Sequence, residues 1–117
     1  MTKEEMRAVK KVYVYNRING KITEHDVKKV DACFFACYDY SLNGEETHEY
    51  SFDLRNAAVM HLSRSFHPDT REVLVSLDKG ALGWIKESDH RVFWNIRNKI
   101  HNIISEEFDK LMPQCER

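Results

Sequence analysis

The chain has 117 residues, of which 42% are apolar and 32% are charged, and its formal net charge is −1. This length is typical of one domain, so we expect a single folded unit over residues 1–117. The near-neutral charge argues against sequence-independent binding of nucleic acid, because such binding needs a basic surface. No run approaches ~18 consecutive apolar residues, so the sequence predicts no membrane-spanning helix.

The N-terminal segment begins with a helix-start signal. Thr2 and Glu5 have the spacing of a capping box, in which each side chain accepts a hydrogen bond from the other residue's backbone N–H. Gly20 suits the left-handed position that follows a helix, so we predict a helix between these signals. The stretch "VYVYN" (residues 12–16) is β-branched and aromatic, and a short strand is the alternative there.

The next segment shows apolar residues at helical spacing. Thr23 and Asp26 are suited to cap a helix that ends near residues 42–44. Cys33 and Cys37 fall on its apolar stripe, where cysteine behaves as a small hydrophobic residue, and two further zinc ligands are not evident, so no metal site is predicted. The three cysteines do not suggest a secreted disulfide framework, and we expect a cytoplasmic location. The stripe comprises Val27, Val30, Cys33, Phe34, Cys37 and Tyr38.

A third helix is predicted to begin near Ser51 or Asp53 and to end before Pro68. The stretch that follows, residues 72–77, reads "EVLVSL" and fits either a short strand or a helix. Gly80 and Gly83 weaken any helix through the next residues.

The last helix is predicted to start at Ser88 or Asp89 and to run to Met112, a length of about 35 Å. We therefore expect an all-α fold of four or five helices in a compact bundle, with this long C-terminal helix at its centre. If residues 12–16 and 72–77 are strands, the fold becomes α+β. The apolar seam of the last predicted helix consists of Phe93, Ile96, Ile100, Ile103, Ile104, Phe108 and Leu111.

Two arginine–histidine pairs are the strongest candidates for chemistry. Arg97 and His101 are four residues apart and would share one helical face, while Arg55 and His61 lie in the third predicted helix. Such a pair suits metal-free cleavage of RNA, in which histidine handles the 2′-hydroxyl proton and arginine stabilises charge on the phosphorane. The structural interpretation of Arg97 is an arginine whose stem lies on Trp94.

The same pairs resemble a motif of the HEPN superfamily of small helical domains. In that family an arginine, usually followed by a polar residue, precedes a histidine by four to six intervening positions. "RNAAVMH" (Arg55 to His61) has five intervening residues, and "RNKIH" (Arg97 to His101) has three. "NAAVMHLSRSFHPD" and "SLDKG" are similar to the abortive-infection branch, and the resemblance covers residues 51–104. It implies a metal-independent endoribonuclease toxin that acts on RNA.

The leading hypothesis is nevertheless a non-enzymatic one. Phe35, Tyr40, Val59 and Trp94 fall off the main apolar stripes, and this surplus indicates a second buried face. We therefore predict a small intracellular protein-binding module of the immunity, mobile-element or toxin–antitoxin accessory type. Its partner would be another protein or a second copy of the chain in a homodimer, with no cofactor.

Overall fold

Two antiparallel three-stranded sheets and short helices make this protein an α+β fold. The computed structural model describes residues 2–41, 44, 46–56 and 72–98. The prediction of an all-α bundle of four or five helices is therefore wrong. In chain order the elements are α1 (Lys3–Arg7), β1 (Lys11–Asn16), β2 (Lys21–Asp26), β3 (Lys29–Val30), β4 (Phe35–Tyr40), β5 (His48–Asp53), a 3-10 helix (Leu54–Asn56), β6 (Val73–Ser76), α2 (Lys79–Glu87) and α3, whose described part is 90–98.

Sheet A has the strand order β2-β1-β6, and sheet B has the order β3-β4-β5. In sheet A, Val14 of β1 lies opposite Thr23 on one side and Val75 on the other. In sheet B, Cys37 of β4 lies opposite Lys29 and Ser51. β1 and β4 are the central strands of their sheets, and most of their side chains are buried.

β1 and β2 form a hairpin, so the strand alternative for residues 12–16 is confirmed and the helix that was predicted up to Gly20 is wrong beyond α1. The capping box itself is present, because Thr2 Oγ1 accepts from Glu5 N at 3.1 Å and Glu5 Oε1 accepts from Thr2 N at 3.3 Å. Gly20 serves the hairpin turn instead of a helix end. Its φ of +70° is the left-handed conformation, and its N–H donates to the Asn16 carbonyl at 2.8 Å.

The chain passes from sheet A to sheet B between Val27 and Lys28. The Val27 N–H donates to the carbonyl of Lys10, next to β1, at 2.9 Å, whereas the Lys28 N–H donates to the carbonyl of Cys37 in β4 at 2.7 Å. One extended stretch, β2 followed by β3, therefore joins the two sheets and brings β2 against β4.

The second predicted helix is replaced by β2, β3 and β4. Residues 35–38 are buried on both faces of sheet B, so the run shows no alternation of apolar and polar residues and its apolar spacing mimics a helix. The reversal before β4 is made by Asp31, whose Oδ1 accepts from the backbone N–H groups of Cys33 and Phe35 at 2.9 and 3.0 Å. Local turn chemistry at Asp31 thus overrides the helical pattern.

The helices α2 and α3 follow the β6 strand, which confirms the strand alternative for residues 72–77. Gly80 and Gly83 do not prevent α2, because Asp78 caps it: its side chain accepts from the N–H groups of Gly80 and Ala81. The predicted start of the last helix at Asp89 is also confirmed, since Asp89 Oδ1 accepts from Arg91 N at 2.8 Å.

Sheet A lies between sheet B and the helices α2 and α3, so these elements form three successive layers of the described residues. Val12 and Val14 face sheet B and belong to a core that includes Tyr38 and Phe52. On the other face of sheet A, the side chain of Tyr15 belongs to a second core with α2 and α3. This second core comprises Tyr15, Leu74, Leu82, Ile85 and Phe93.

The third predicted helix starts as a strand, because Ser51 and Asp53 lie in β5 and only Leu54–Asn56 turn helically afterwards. The remainder of that predicted helix, and the last helix after residue 98, lie outside the described residues. Within the part of the chain that the structure describes, no helix has the length and apolar character needed to cross a membrane.

Candidate functional site

Arg55 lies in the 3-10 helix that follows β5, and its guanidinium is already bound. Nε and Nη2 donate to the two carboxylate oxygens of Asp53 at 2.9 and 3.2 Å. The guanidinium carbon also lies 5.2 Å from the centroid of the Phe35 ring. The Asp53 side chain is only 4% exposed, so this fork pairs a buried carboxylate. His61, its predicted partner, lies outside the described residues.

Arg97 lies in α3 and is 8% exposed. The arginine on Trp94 is a different one: the guanidinium carbon of Arg17 lies 5.4 Å from the Trp94 ring centroid and 5.6 Å from that of Phe93. His101 lies outside the described residues, so neither arginine–histidine pair is seen together. The ribonuclease hypothesis stays a prediction.

Sequence reasoning missed a polar and aromatic cluster between β2 and β4. His25 Nε2 lies 2.6 Å from Thr23 Oγ1, and the imidazole centroid is 5.1 Å from the Tyr40 ring and 5.9 Å from the Tyr38 ring. Asn16 Nδ2 donates to the Tyr40 hydroxyl at 3.1 Å. The alternation of Thr23 with His25, and of Tyr38 with Tyr40, is the strand-period signal that could have revealed this cluster.

Burial favours the neutral forms of the titratable groups in this cluster. Burial lowers the pKa of His25 below 6.5, although a hydrogen bond to the backbone of Asp39 opposes this shift. Burial also raises the pKa of Tyr38 and of Tyr40, the latter against the hydrogen bond from Asn16. Because Tyr38 and Tyr40 are 1% and 7% exposed, the cluster binds the two sheets to each other and leaves a ligand little access to its rings.

The two N-terminal cysteines do not form the predicted helical pair. Cys33 is disulfide-bonded, whereas Cys37 is a free, buried thiol whose Sγ lies 3.8 Å from Ser51 Oγ. Burial raises the pKa of the Cys37 thiol, which opposes formation of the reactive thiolate. Among the residues that the structure describes, no three His, Cys, Asp or Glu side chains are grouped to hold a metal ion.

The basic side chains of the β strands are interleaved with acidic ones. Lys11 forms ion pairs with Asp26 and Glu24 across sheet A. Lys28 bonds Glu49 Oε2 at 3.1 Å and lies 3.5 Å from Asp39 Oδ1 across sheet B. These pairs compensate the lysines locally, so neither sheet presents them as a basic surface for nucleic acid.

The outer face of α2 carries the most exposed aromatic side chain of the described residues. Trp84 is 62% exposed, while Leu82 and Ile85 on the opposite face are 0% and 2% exposed. The helix is therefore fixed by its inner face and displays its tryptophan to solvent. We call the residues at successive one-turn spacings on that side the outer stripe: Gly80, Gly83, Trp84 and Glu87.

No family model, no curated protein and no solved structure matches this chain.

Proposed function

We propose that this chain is a small protein-binding module whose contact surface is the outer stripe of α2. The observation that supports this proposal is the exposure of Trp84, at 62% of its surface. Tryptophan is enriched among the residues that dominate binding energy at protein interfaces. Burying its exposed part, on the order of 100–150 Å², would contribute roughly 3 kcal/mol to association.

Rigid presentation of the indole favours binding over incidental exposure. Leu82 and Ile85 anchor α2 in the second core, and the Ser88 hydroxyl donates to the Trp84 carbonyl at 2.6 Å, which closes the last turn. An anchor side chain on a fixed helix loses little conformational entropy when a partner covers it. Lys79 and Glu87 flank the tryptophan along the helix and would form a polar rim.

The test is photo-crosslinking from position 84 in the cell that produces the protein. A photoreactive phenylalanine analogue in place of Trp84 is expected to give a covalent adduct with a protein, either a second copy or another chain. The same analogue in place of Lys3, an exposed residue of α1, is the matched control and should give no equivalent adduct. Absence of a protein adduct specific to position 84 would contradict the proposal.

We also propose a cytoplasmic location, which requires that the Cys33 disulfide of the structure be reduced in the cell, so the redox state of Cys33 tests it. Most cytoplasmic proteins keep their thiols reduced, so the cysteines should be free in the cell. Rapid acid quenching of whole cells, alkylation and intact-mass measurement should therefore show that all three cysteines are alkylated. Persistence of the Cys33 disulfide in the quenched protein would assign the chain to an oxidising compartment.

A further inference from the structure

We propose that the occupant of the outer stripe is a second copy of this chain, with the two α2 helices packed antiparallel about a two-fold axis. This inference rests on the proposed function, because it names the protein that the stripe binds. It is drawn from the symmetry of the stripe, from its two glycines and from the charges at its ends.

The outer stripe has the same spacing when it is read in either direction. Gly80 and Glu87 lie equally far from the midpoint between Gly83 and Trp84. A two-fold axis through that midpoint therefore packs the outer stripe of one chain against the same outer stripe of the second copy. Gly80 faces Glu87 of the second copy, and the two Trp84 rings lie side by side at the axis. A closed, self-complementary contact of this kind is how two-fold dimers form.

Gly83 supplies the space that such a contact needs. Among the residues that the structure describes, a Cβ atom added at Gly83 would meet nothing within 4 Å, so the helix surface at this position is bare backbone. Glycine in a helix is unfavourable by about 1 kcal/mol relative to alanine. In the dimer, the bare backbone at Gly83 lets the second helix approach closely beside the Trp84 rings. This contact would account for an otherwise unfavourable glycine in the helix.

The charges of α2 are complementary in the antiparallel arrangement. Lys79 and Glu87 lie at opposite ends of the helix, and neither forms an ion pair with any described residue. The antiparallel pairing brings Glu87 beside Lys79 of the second copy, twice per dimer. It also orients the two helix dipoles in opposite directions, which is the favourable arrangement. A parallel pairing would instead bring like charges together.

The contact is short, because α2 has 9 residues and spans about 14 Å. A dimer that rests on α2 alone buries less surface area than a standard interface. We therefore expect a weak dimer whose fraction rises as the protein concentration increases from micromolar to millimolar. Sedimentation velocity over that concentration range is the direct measurement.

The experiment uses charge reversal in the full chain. Lys79→Glu and Glu87→Lys should each weaken the dimer several-fold, because each variant carries like charges at both contacts. An equimolar mixture of the two variants should form a heterodimer at least as tight as the wild-type dimer, since each contact is again an opposite pair. Lys3→Glu, at an exposed position of α1, is the charge control and should dimerise as the wild type does.

Two further variants test the packing. Trp84→Ala and Gly83→Leu should each raise the dissociation constant at least tenfold, while the thermal midpoint of dilute Gly83→Leu stays at or above that of the wild type. A wild-type chain that stays monomeric throughout, or a mixture no tighter than its components, would overturn the inference. If position 84 crosslinks to a different protein in the cell, the proposed function is supported and the dimer inference is not. If it crosslinks to no protein, the proposed function and the dimer inference both fail.

Discussion

At the scale of single residues, His25 shows how the interior of the sandwich is built. Its imidazole lies where β2 meets β4, within 5.1 Å of the Tyr40 ring centroid and 2.6 Å of the Thr23 hydroxyl. The nearest charges are those of Glu24 and Asp26, which favour the protonated ring but are outweighed by burial, so the pKa of His25 is lowered.

This lowered pKa predicts that the protein loses stability as the pH falls below 6.5, the ordinary histidine value. Above that value the imidazole is neutral in both states and costs nothing. Below it the unfolded chain binds a proton that folded His25 resists, so the free energy of unfolding falls until the folded pKa is passed. Urea unfolding at several pH values between 5 and 8 measures this slope.

His25→Gln removes the titrating group and should make the stability less dependent on pH over that range. The matched control is His48→Gln, a substitution at a solvent-exposed histidine of β5 that leaves His25 in place, so the part of the slope that comes from His25 should remain. An unchanged slope in His25→Gln would show that the imidazole is equally hydrated in the two states.

Sequence reasoning succeeded at the residue scale where the signal is local. The capping box of Thr2 and Glu5 and the helix start at Asp89 depend on neighbouring backbone groups, and both are present. Arg55 could not be interpreted in this way. Its fork to Asp53 is local, but its contact with Phe35 depends on a sheet that brings residues twenty positions apart together.

At the scale of elements, Arg17 ties three parts of the chain together. It lies in the β1–β2 turn, and its Nη1 donates to Glu72 Oε2, just before β6, at 3.2 Å. The same guanidinium lies over the Phe93 and Trp94 rings of α3. The turn, the start of β6 and α3 are therefore linked through one side chain.

Arg17→Ala is expected to destabilise the docking of α3 by about 1–2 kcal/mol, the sum of a partly exposed ion pair and its contacts with two rings. Hydrogen exchange at residues 90–98 should accelerate accordingly. Arg17→Lys keeps the charge but loses the planar stacking, so its exchange should be intermediate. Arg91→Ala, which removes an exposed pair with Asp89 within α3, is the control; equal exchange in all these variants would contradict the linking role.

Burial of a strand on both faces explains why apolar spacing predicted a helix where the structure has a strand. β4 is buried on both faces, and its apolar spacing imitates a helix, whereas "VYVYN" and "EVLVSL" contain the β-branched residues that favour strands. In α2 the error is the opposite one, because Gly80 and Gly83 argued against a helix that exists. The Asp78 cap and the burial of Leu82 and Ile85 outweigh the two glycines. In β4 and in α2 the burial of side chains therefore outweighed the local pattern, whereas in β1 and β6 intrinsic propensity and structure agree.

At the scale of the whole molecule, the three layers account for the surplus of apolar residues noted in the sequence. Sheet A is covered by sheet B on one face and by α2 and α3 on the other, and Tyr40 is buried in the core between the two sheets. Phe35 belongs to neither core, but it is also buried, with the Arg55 guanidinium carbon 5.2 Å from its ring. The surplus therefore cannot by itself indicate a partner. Among the described residues the large apolar side chains that stay exposed are Ile18 and Trp84, each at 62%, and Trp84 is the one that supports the proposed binding surface.

The most direct test of that claim uses the two tryptophans of the chain as paired probes. Protein labelled with 5-fluorotryptophan should give one ¹⁹F resonance from Trp84 and one from Trp94, assigned with Trp84→Phe. As the protein concentration rises from micromolar to millimolar, the Trp84 resonance should shift while that of Trp94, covered by Arg17, stays constant. A Trp84 resonance that does not move in concentrated protein or in an extract of the producing cells would contradict the account.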